Sequence, residues 1–287
     1  MTTPVTGHAY LDAVRTHARD GARSVLALAH RGGAYHPEVE GLENTMAAFR
    51  HAVDLGYRYL ETDVHVTRDG VLLAFHDAVL DRVTDRHGAV GEMTHAEVRE
   101  ARVGGREEVP TLVELLEAFP DALFNIDLKS GPAVQALADL VGERQEWDRL
   151  LVGSFSPGRL ARFRRLTEGR VPTSAHPFEV LAFLLLPSGR LADLVTRRRV
   201  AALQVPHRRT LRLAGVRITL PVVTRGFVRR AHAAGKHVHV WTIDDPEEMR
   251  ELLDKGVDGL FTDRTDLLRE VLEQQGLWPR GSGEGPA

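Results

Sequence analysis

The sequence predicts an α/β protein folded as a single (β/α)₈ barrel, and three observations carry that expectation. Eight short apolar runs have strand character, amphipathic segments of helical period separate them, and no linker rich in Pro, Gly or Ser interrupts the alternation. A doubly wound open sheet would usually show fewer strands and a glycine-rich phosphate loop, which this chain does not have.

In chain order the expected strands are Ser24 to His30, Tyr57 to His65, Ala122 to Lys129, Leu150 to Phe155, Val171 to Ala175, Val200 to Val205, His237 to Thr242 and Val257 to Thr262. Helical spacing is clearest in Glu43 to Leu55, Pro132 to Glu143, Pro221 to Ala234, Pro246 to Lys255 and Thr265 to Gln274. Several of these open on Pro, whose missing N–H costs nothing in a first helical turn. An extra short strand, Val71 to His76, follows the turn Thr67-Arg68-Asp69-Gly70, whose Asp-Gly pair suits a hairpin. The resulting organisation is an N-terminal helical extension over 1–23, one barrel domain over 24–275 and a tail over 276–287 expected to be disordered.

Composition narrows the function classes. The 287 residues include 37 basic and 40 acidic ones, a formal charge of -3, so the basic excess of a phosphate-backbone binder is missing and nucleic acid is a poor partner. There is no cysteine, which removes thiolate metal sites and cysteine nucleophiles and suits a reducing compartment; cytoplasm is the expected location. The apolar stretch Leu181 to Leu186 is far shorter than the ~20 residues a membrane span needs.

Strand phase then gathers the unusual residues. Residues two apart share a face, so Glu61 and Asp63 project together near the end of one strand, and Asp127 and Lys129 near the end of another. His30 closes the first strand, and Thr262 with Asp263 closes the eighth. In a barrel of this kind the carboxyl ends of the strands form the active rim. Two carboxylates two apart are more often a solvated strand face, but their place at a strand end beside Leu60 and Val64 reverses that reading. Glu61, Asp63 and Asp127 supply hard oxygen ligands suited to Mg²⁺ or Ca²⁺. Arg31 and Lys129 offer fixed positive charge to a phosphate, and histidines titrate near working pH as acid and base. His17, His51, His87, His95 and His232 read as ordinary surface or core histidines, while His36 suits either the rim or the solvent.

The ordered series Ala29-His30-Arg31-Gly32, Glu43-Asn44-Thr45, Glu61-Thr62-Asp63-Val64, Thr67-Arg68-Asp69-Gly70 and His76-Asp77 resembles the glycerophosphodiester phosphodiesterase family. The resemblance continues through Val109-Pro110-Thr111-Leu112, Asn125-Ile126-Asp127-Leu128-Lys129, Gly153-Ser154-Phe155, His239-Val240-Trp241-Thr242 and Gly259-Leu260-Phe261-Thr262-Asp263, spanning nearly all of Val25 to Leu272. It implies a TIM-type barrel that hydrolyses glycerophosphodiesters to glycerol 3-phosphate and an alcohol with a divalent cation, Mg²⁺ or Ca²⁺, with Mn²⁺ also compatible. It further implies His30 and His76 as the acid-base pair and Glu61, Asp63 and Asp127 as metal ligands. Arg31 and Lys129 would hold the phosphate, Glu43 would assist at the metal or a substrate hydroxyl, and Trp241 would wall the site. Asp127 departs from the family's usual Glu and is one methylene shorter. The insertion Ala78 to Ala118 would cap the site and select the alcohol.

Three other readings compete. The same site could act on lysolipids as a lysophospholipase D, Lys129 could form a Schiff base for carbon chemistry, or the chain could bind a phosphate ligand without turnover. The partner expected in every case is a small molecule. In the region Phe178 to Arg212, the apolar run and its arginines read first as a buried helix followed by solvated basic residues. The alternative is an apolar lip for an acyl group with peripheral membrane contact. Oligomeric state is not legible.

Overall fold

The computed structural model describes residues 3–14, 23, 25–213 and 216–278. The chain forms two compact units: residues 28–173 with 263–266 make one, and the remaining residues the other. Of the expected N-terminal extension, residues 15–22 lie outside the described residues, and the helix that is described is α1 (Ala9–Asp12). Most of the expected tail, 279–287, also lies outside them.

In the first unit, β1 (Leu26–His30, whose first two residues count with the other unit) is followed by α2 (Met46–Asp54), β2 (Tyr59–Val66) and β3 (Leu72–Ala74). After these come α3 (His95–Val98), α4 (Leu112–Ala118), β4 (Leu123–Leu128), α5 (Gly131–Arg144), β5 (Leu150–Gly153) and α6 (Pro157–Leu166). The sheet order is β5, β4, β2, β1, all parallel, with β3 antiparallel on the end of β2 as the expected hairpin. β2 is buried on both faces along nearly its whole length, as a parallel strand covered by helices must be.

Helix starts follow local chemistry. The Thr45 hydroxyl accepts a hydrogen bond from Ala48 N, so α2 begins at Met46 and leaves Glu43 and Asn44 outside the helix. Reciprocal capping boxes, Thr94 with Glu97 and Thr111 with Glu114, open α3 and α4. Between β3 and β4 the insertion is an ordered small core, with Leu73, Phe75, Leu80, Val98 and Val109 buried in one cluster. That core fixes the chain on either side of His76.

The second unit holds α7 (Pro177–Leu185), α8 (Gly189–Val195), β6 (Ala202–Pro206), the antiparallel hairpin β7 (Arg208–Leu213) with β8 (Val216–Pro221), and α9 (Arg225–Ala233). β9 (His237–Trp241), α10 (Pro246–Lys255), β10 (Gly259–Thr262) and α11 (Thr265–Gln274) complete the chain. β10, β9 and β6 are neighbours and parallel. α10 opens on Asp245, which accepts from the amides of Glu247 and Glu248, and ends at left-handed Gly256, whose φ is 97°.

Three segments depart from expectation. Val171 to Ala175 makes isolated bridges, Thr173 to Val152 and Ser174 to Ala202, in place of a continuous strand. Pro172 has no N–H to donate and contributes only its carbonyl, to Val152 N. Pro221 ends β8 rather than opening a helix, because the Thr224 hydroxyl caps the helix that follows. The stretch Phe178 to Arg212 is two helices, β6 and most of β7, in which Phe178 and Leu185 are exposed, not one buried helix. Among the described residues no helix is long and apolar enough to cross a membrane.

Two glycines with opposite surroundings test the packing. A Cβ on Gly189 would stand 1.8 Å from the carbonyl oxygen of Arg230, whereas a Cβ on Gly131 would meet nothing within 4 Å. Gly189→Ala is expected to cost ~1–3 kcal/mol, and Gly131→Ala in the first turn of α5 to gain about 0.4–1 kcal/mol through the unfolded chain. Urea unfolding of both variants checks the contrast.

Candidate active site

Strand register sets the rows of the site. His30 lies opposite Glu61, Glu61 opposite Asn125, and Asp63 opposite Asp127, so these side chains project from one face of β1, β2 and β4. Lys129 follows just beyond β4. Glu61 and Asp63 are 5% and 2% exposed, and a carboxylate buried this far is tolerated only when paired.

Each of the two carboxylates is paired differently. Asp63 Oδ1 lies 2.9 Å from Lys129 Nζ, while its Oδ2 accepts from Asn44 Nδ2 at 3.3 Å and lies 3.2 Å from Arg31 Nε. The Arg31 contact is a charge contact without hydrogen-bond alignment. Lys129 also donates to Asp127 Oδ2 at 2.6 Å, so one ammonium bridges two of the three expected metal ligands. Glu61 Oε2 accepts from the backbone N of Arg31 at 3.1 Å and lies 3.9 Å from His30 Nε2.

The turn after β1 is shaped for these contacts. Arg31 has a φ of 49°, unusual for a side-chain-bearing residue, and Gly32 and Gly33 both have a φ of 86°. A Cβ on Gly32 would meet Ala48 Cβ at 2.8 Å, and one on Gly33 would meet Thr265 at 2.6 Å. The tight turn aims the Arg31 backbone N at Glu61 and its guanidinium at Glu43, 3.1 Å away. Asn44, also in the left-handed region, takes a hydrogen bond from Thr62 Oγ1 at 2.8 Å.

Both expected catalytic histidines are oriented through Nδ1 by a carboxylate. His30 Nδ1 is 2.8 Å from Asp263 Oδ1, and His76 Nδ1 is 2.5 Å from Asp77 Oδ1. An acceptor there holds the neutral ring's proton on Nδ1 and leaves Nε2 as the base. Asp77 and Glu43 are in turn joined by Arg82, which donates Nε to Asp77 at 2.6 Å and both terminal nitrogens to Glu43 at 2.7 and 2.8 Å. A continuous chain of charges therefore runs from His76 through Asp77, Arg82, Glu43, Arg31, Asp63 and Lys129 to Asp127.

Arg82 escaped the sequence reading, since it sits in the insertion, where no periodic pattern singles out one arginine. The orienting roles of Asp263 and Asp77 were missed too, although both occupy the motifs quoted above. His36 is settled as a packing residue: it is buried against His51, ring centroids 4.2 Å apart, and its Nδ1 accepts from Glu38 N. Trp241 closes β9 in the other unit and is half-buried.

The electrostatics follow from the imbalance of charge. Glu43, Glu61, Asp63, Asp77, Asp127 and Asp263 stand against the fixed cations Arg31, Arg82 and Lys129. Burial, then the neighbouring Asp63, pushes the Glu61 carboxyl up to about 7. Burial acts on Asp63 in the same sense, but Lys129 and Arg31 outweigh it and hold that carboxyl below its ordinary value. Burial works against protonated His30, yet Glu61 and Asp263 prevail and raise its pKa. The Arg82 hydrogen bond, with help from His76, holds Asp77 down at about 2.

Among the described residues, no three His, Asp or Glu side chains stand close enough together to hold a metal ion. What is present is a buried pair of hard oxygen donors, Glu61 and Asp63, on one face of β2.

The family model for the glycerophosphoryl diester phosphodiesterase family matches residues 30–267. A Mycobacterium tuberculosis protein assigned as glycerophosphodiester phosphodiesterase 2 is 41% identical over 262 residues, covering 91% of this chain and 94% of its own. A Silicibacter pomeroyi structure assigned as a glycerophosphoryl diester phosphodiesterase superposes with a TM-score of 0.75 at 25% identity, over 96% of this chain and all of that one. An Oleispira antarctica phosphodiesterase, solved with the product sn-glycerol-3-phosphate, has a TM-score of 0.68 at 23% identity and covers 86% of this chain and 96% of its own. The fold class is thereby the α/β, TIM-barrel class that the alternation of elements predicts.

Asp263 offers a direct test of the orienting contacts. In Asp263→Asn the His30 pKa is expected to fall below its wild-type value, as read by an NMR titration of the imidazole. Because the folded His30 pKa is raised, its contribution to stability is present below the unfolded value of about 6.5 and lost as pH rises through the folded value. Asp263→Asn should flatten that part of the stability profile. An unmoved titration would show that Asp263 does not hold the ring.

Proposed function

Because the chain belongs to the glycerophosphoryl diester phosphodiesterase family, we propose that it hydrolyses a glycerophosphodiester to sn-glycerol 3-phosphate and an alcohol through His30 and His76. The observation that carries this reading is the matched pair of histidines, each tied through Nδ1 to a carboxylate so that Nε2 points to the chemistry.

Arg31 and Lys129 are the phosphate-binding cations of this reading. Their charge is held in place before substrate arrives, by Asp63, Glu43 and Asp127, so little reorganisation is needed when a phosphodiester enters. One histidine takes the proton of the glycerol hydroxyl beside the ester, and that oxygen attacks phosphorus. The other gives its proton to the oxygen of the departing alcohol. The cyclic phosphate left behind is opened by water, with the proton roles reversed. Glu43 keeps Arg31 turned toward the phosphate and Arg82 turned toward Asp77.

The oxygen donors suit a hard divalent cation, Mg²⁺ or Ca²⁺, with Mn²⁺ compatible. Glu61 and Asp63 would hold it, with Asp127 as the third carboxylate. Bound there, the ion supplies charge to neutralise phosphate oxygens. The raised Glu61 carboxyl supports this assignment, since burial and the neighbouring Asp63 oppose its charge and a bound cation would favour it.

Glycerophosphocholine, glycerophosphoethanolamine and glycerophosphoglycerol, assayed for glycerol 3-phosphate, and lysophosphatidylcholine, assayed for lysophosphatidic acid, each with Mg²⁺, Ca²⁺ or Mn²⁺, test the reading. Turnover of the small diesters is expected, abolished by a chelator and restored by the ion. His30→Ala and His76→Ala should each lower kcat by roughly 10²–10⁴-fold, the range for a lost acid or base. Near-wild-type turnover in either variant would remove the paired role, and release of a lysophosphatidic acid from the lysolipid alone would move the activity to the lysophospholipase D class.

A further inference from the structure

Two helices of the second unit carry most of their large apolar residues on the outside. In α7 the inner side is Glu179 and Phe183, while Phe178, Leu181 and Leu185 face outward at 71%, 46% and 72% exposure. In α8 the inner side is Gly189 and Ala192, and Leu191, Leu194 and Val195 are exposed. The spacings are three and four residues, so each set forms a stripe along its helix, and α7 packs on α8.

This arrangement cannot be relieved by rotating the helices. Gly189 approaches the backbone of Arg230 so closely that no larger residue fits on that side. The Arg230 guanidinium donates to the carbonyls of Phe183 and Leu184 and ties off the end of α7. The inner faces are thus fixed on α9, and the outer stripes stay in water.

Charge exposed along α8 and in the turn after it has one sign. Arg190, Arg197 and Arg198 are exposed, and Arg197 and Arg198 both lie in the left-handed region, with φ of 58° and 56°, a conformation that costs side-chain-bearing residues energy. The acids of the two helices are already engaged: Asp193 lies 2.9 Å from Lys236, and Glu179 is buried against His176.

We propose that the α7–α8 face docks on an anionic lipid bilayer, with Phe178, Leu181 and Leu185 entering the headgroup boundary and Arg190, Arg197 and Arg198 meeting lipid phosphates. Apolar stripes this small bind a neutral bilayer weakly, and stable attachment takes a second, electrostatic signal, which the arginines provide. A second copy of the chain is the poorer occupant, because a self-complementary contact would set the arginines of both copies against each other. The proposal is independent of the catalytic reading, since its test measures attachment and not turnover.

The full-length chain is sedimented with vesicles of phosphatidylcholine alone and of phosphatidylcholine mixed with phosphatidylglycerol, at low and high salt. Binding is expected to the mixed vesicles only, and to weaken with salt. Phe178→Asp with Leu185→Asp should abolish it, while Arg197→Gln with Arg198→Gln should weaken it by roughly fivefold per arginine removed. Thermal unfolding of the variants, expected to match wild type because these side chains are exposed, separates lost docking from lost fold. Failure to bind the mixed vesicles, or equal binding by the folded Asp variants, overturns the proposal. So does self-association through this face, seen by analytical ultracentrifugation, with vesicles left bare.

Discussion

The buried carboxylate of Asp63 is the interaction on which the site depends. A charge 2% exposed must be compensated, and its partners come from three separate places: Arg31 in the turn after β1, Asn44 at the entry to α2, and Lys129 beyond β4. Satisfying one anion therefore fixes three segments at once. It also holds two cations, Arg31 and Lys129, beside the same carboxylate. The strand gives Asp63 its position, and Asp63 gives the cations theirs.

Around that centre the remaining contacts orient rather than anchor. Glu43 connects Arg31 to Arg82, and Arg82 connects both to Asp77 beside His76. The insertion, with its own buried cluster, thus reaches the site through one bidentate guanidinium. Arg31 accepts an unfavourable backbone conformation, and Gly32 and Gly33 supply the close approaches that make this turn possible. Backbone strain and unbalanced charge both gather where the chemistry is proposed, a pairing expected where groups are held in place in advance of substrate.

Much of this was legible in the sequence, for identifiable reasons. Period-two alternation puts Glu61 with Asp63 on one face of their strand and Asp127 with Lys129 on one face of theirs, and the register then sets Asp63 opposite Asp127. Capping residues mark helix starts, although Thr45 moved one start past Glu43 and Asn44. Long-range pairing was not legible. Arg82 joins Glu43 across 39 positions and His30 joins Asp263 across 233, and no local pattern encodes either contact. Nor does helical period reveal which stripe faces inward: in α8 the small residues are inside because Gly189 must pass the Arg230 carbonyl, so the leucines are left outside.

A double-mutant cycle of Asp63→Asn and Lys129→Met, read by urea unfolding, tests the central claim most directly. Each single change removes one partner of a charge in the buried network and should destabilise the chain, while the double change removes both charges. The account predicts a coupling of about 1–3 kcal/mol between the two positions, with the double variant losing less than the sum. Additive losses would contradict it, showing that Asp63 does not hold Lys129 in the folded protein.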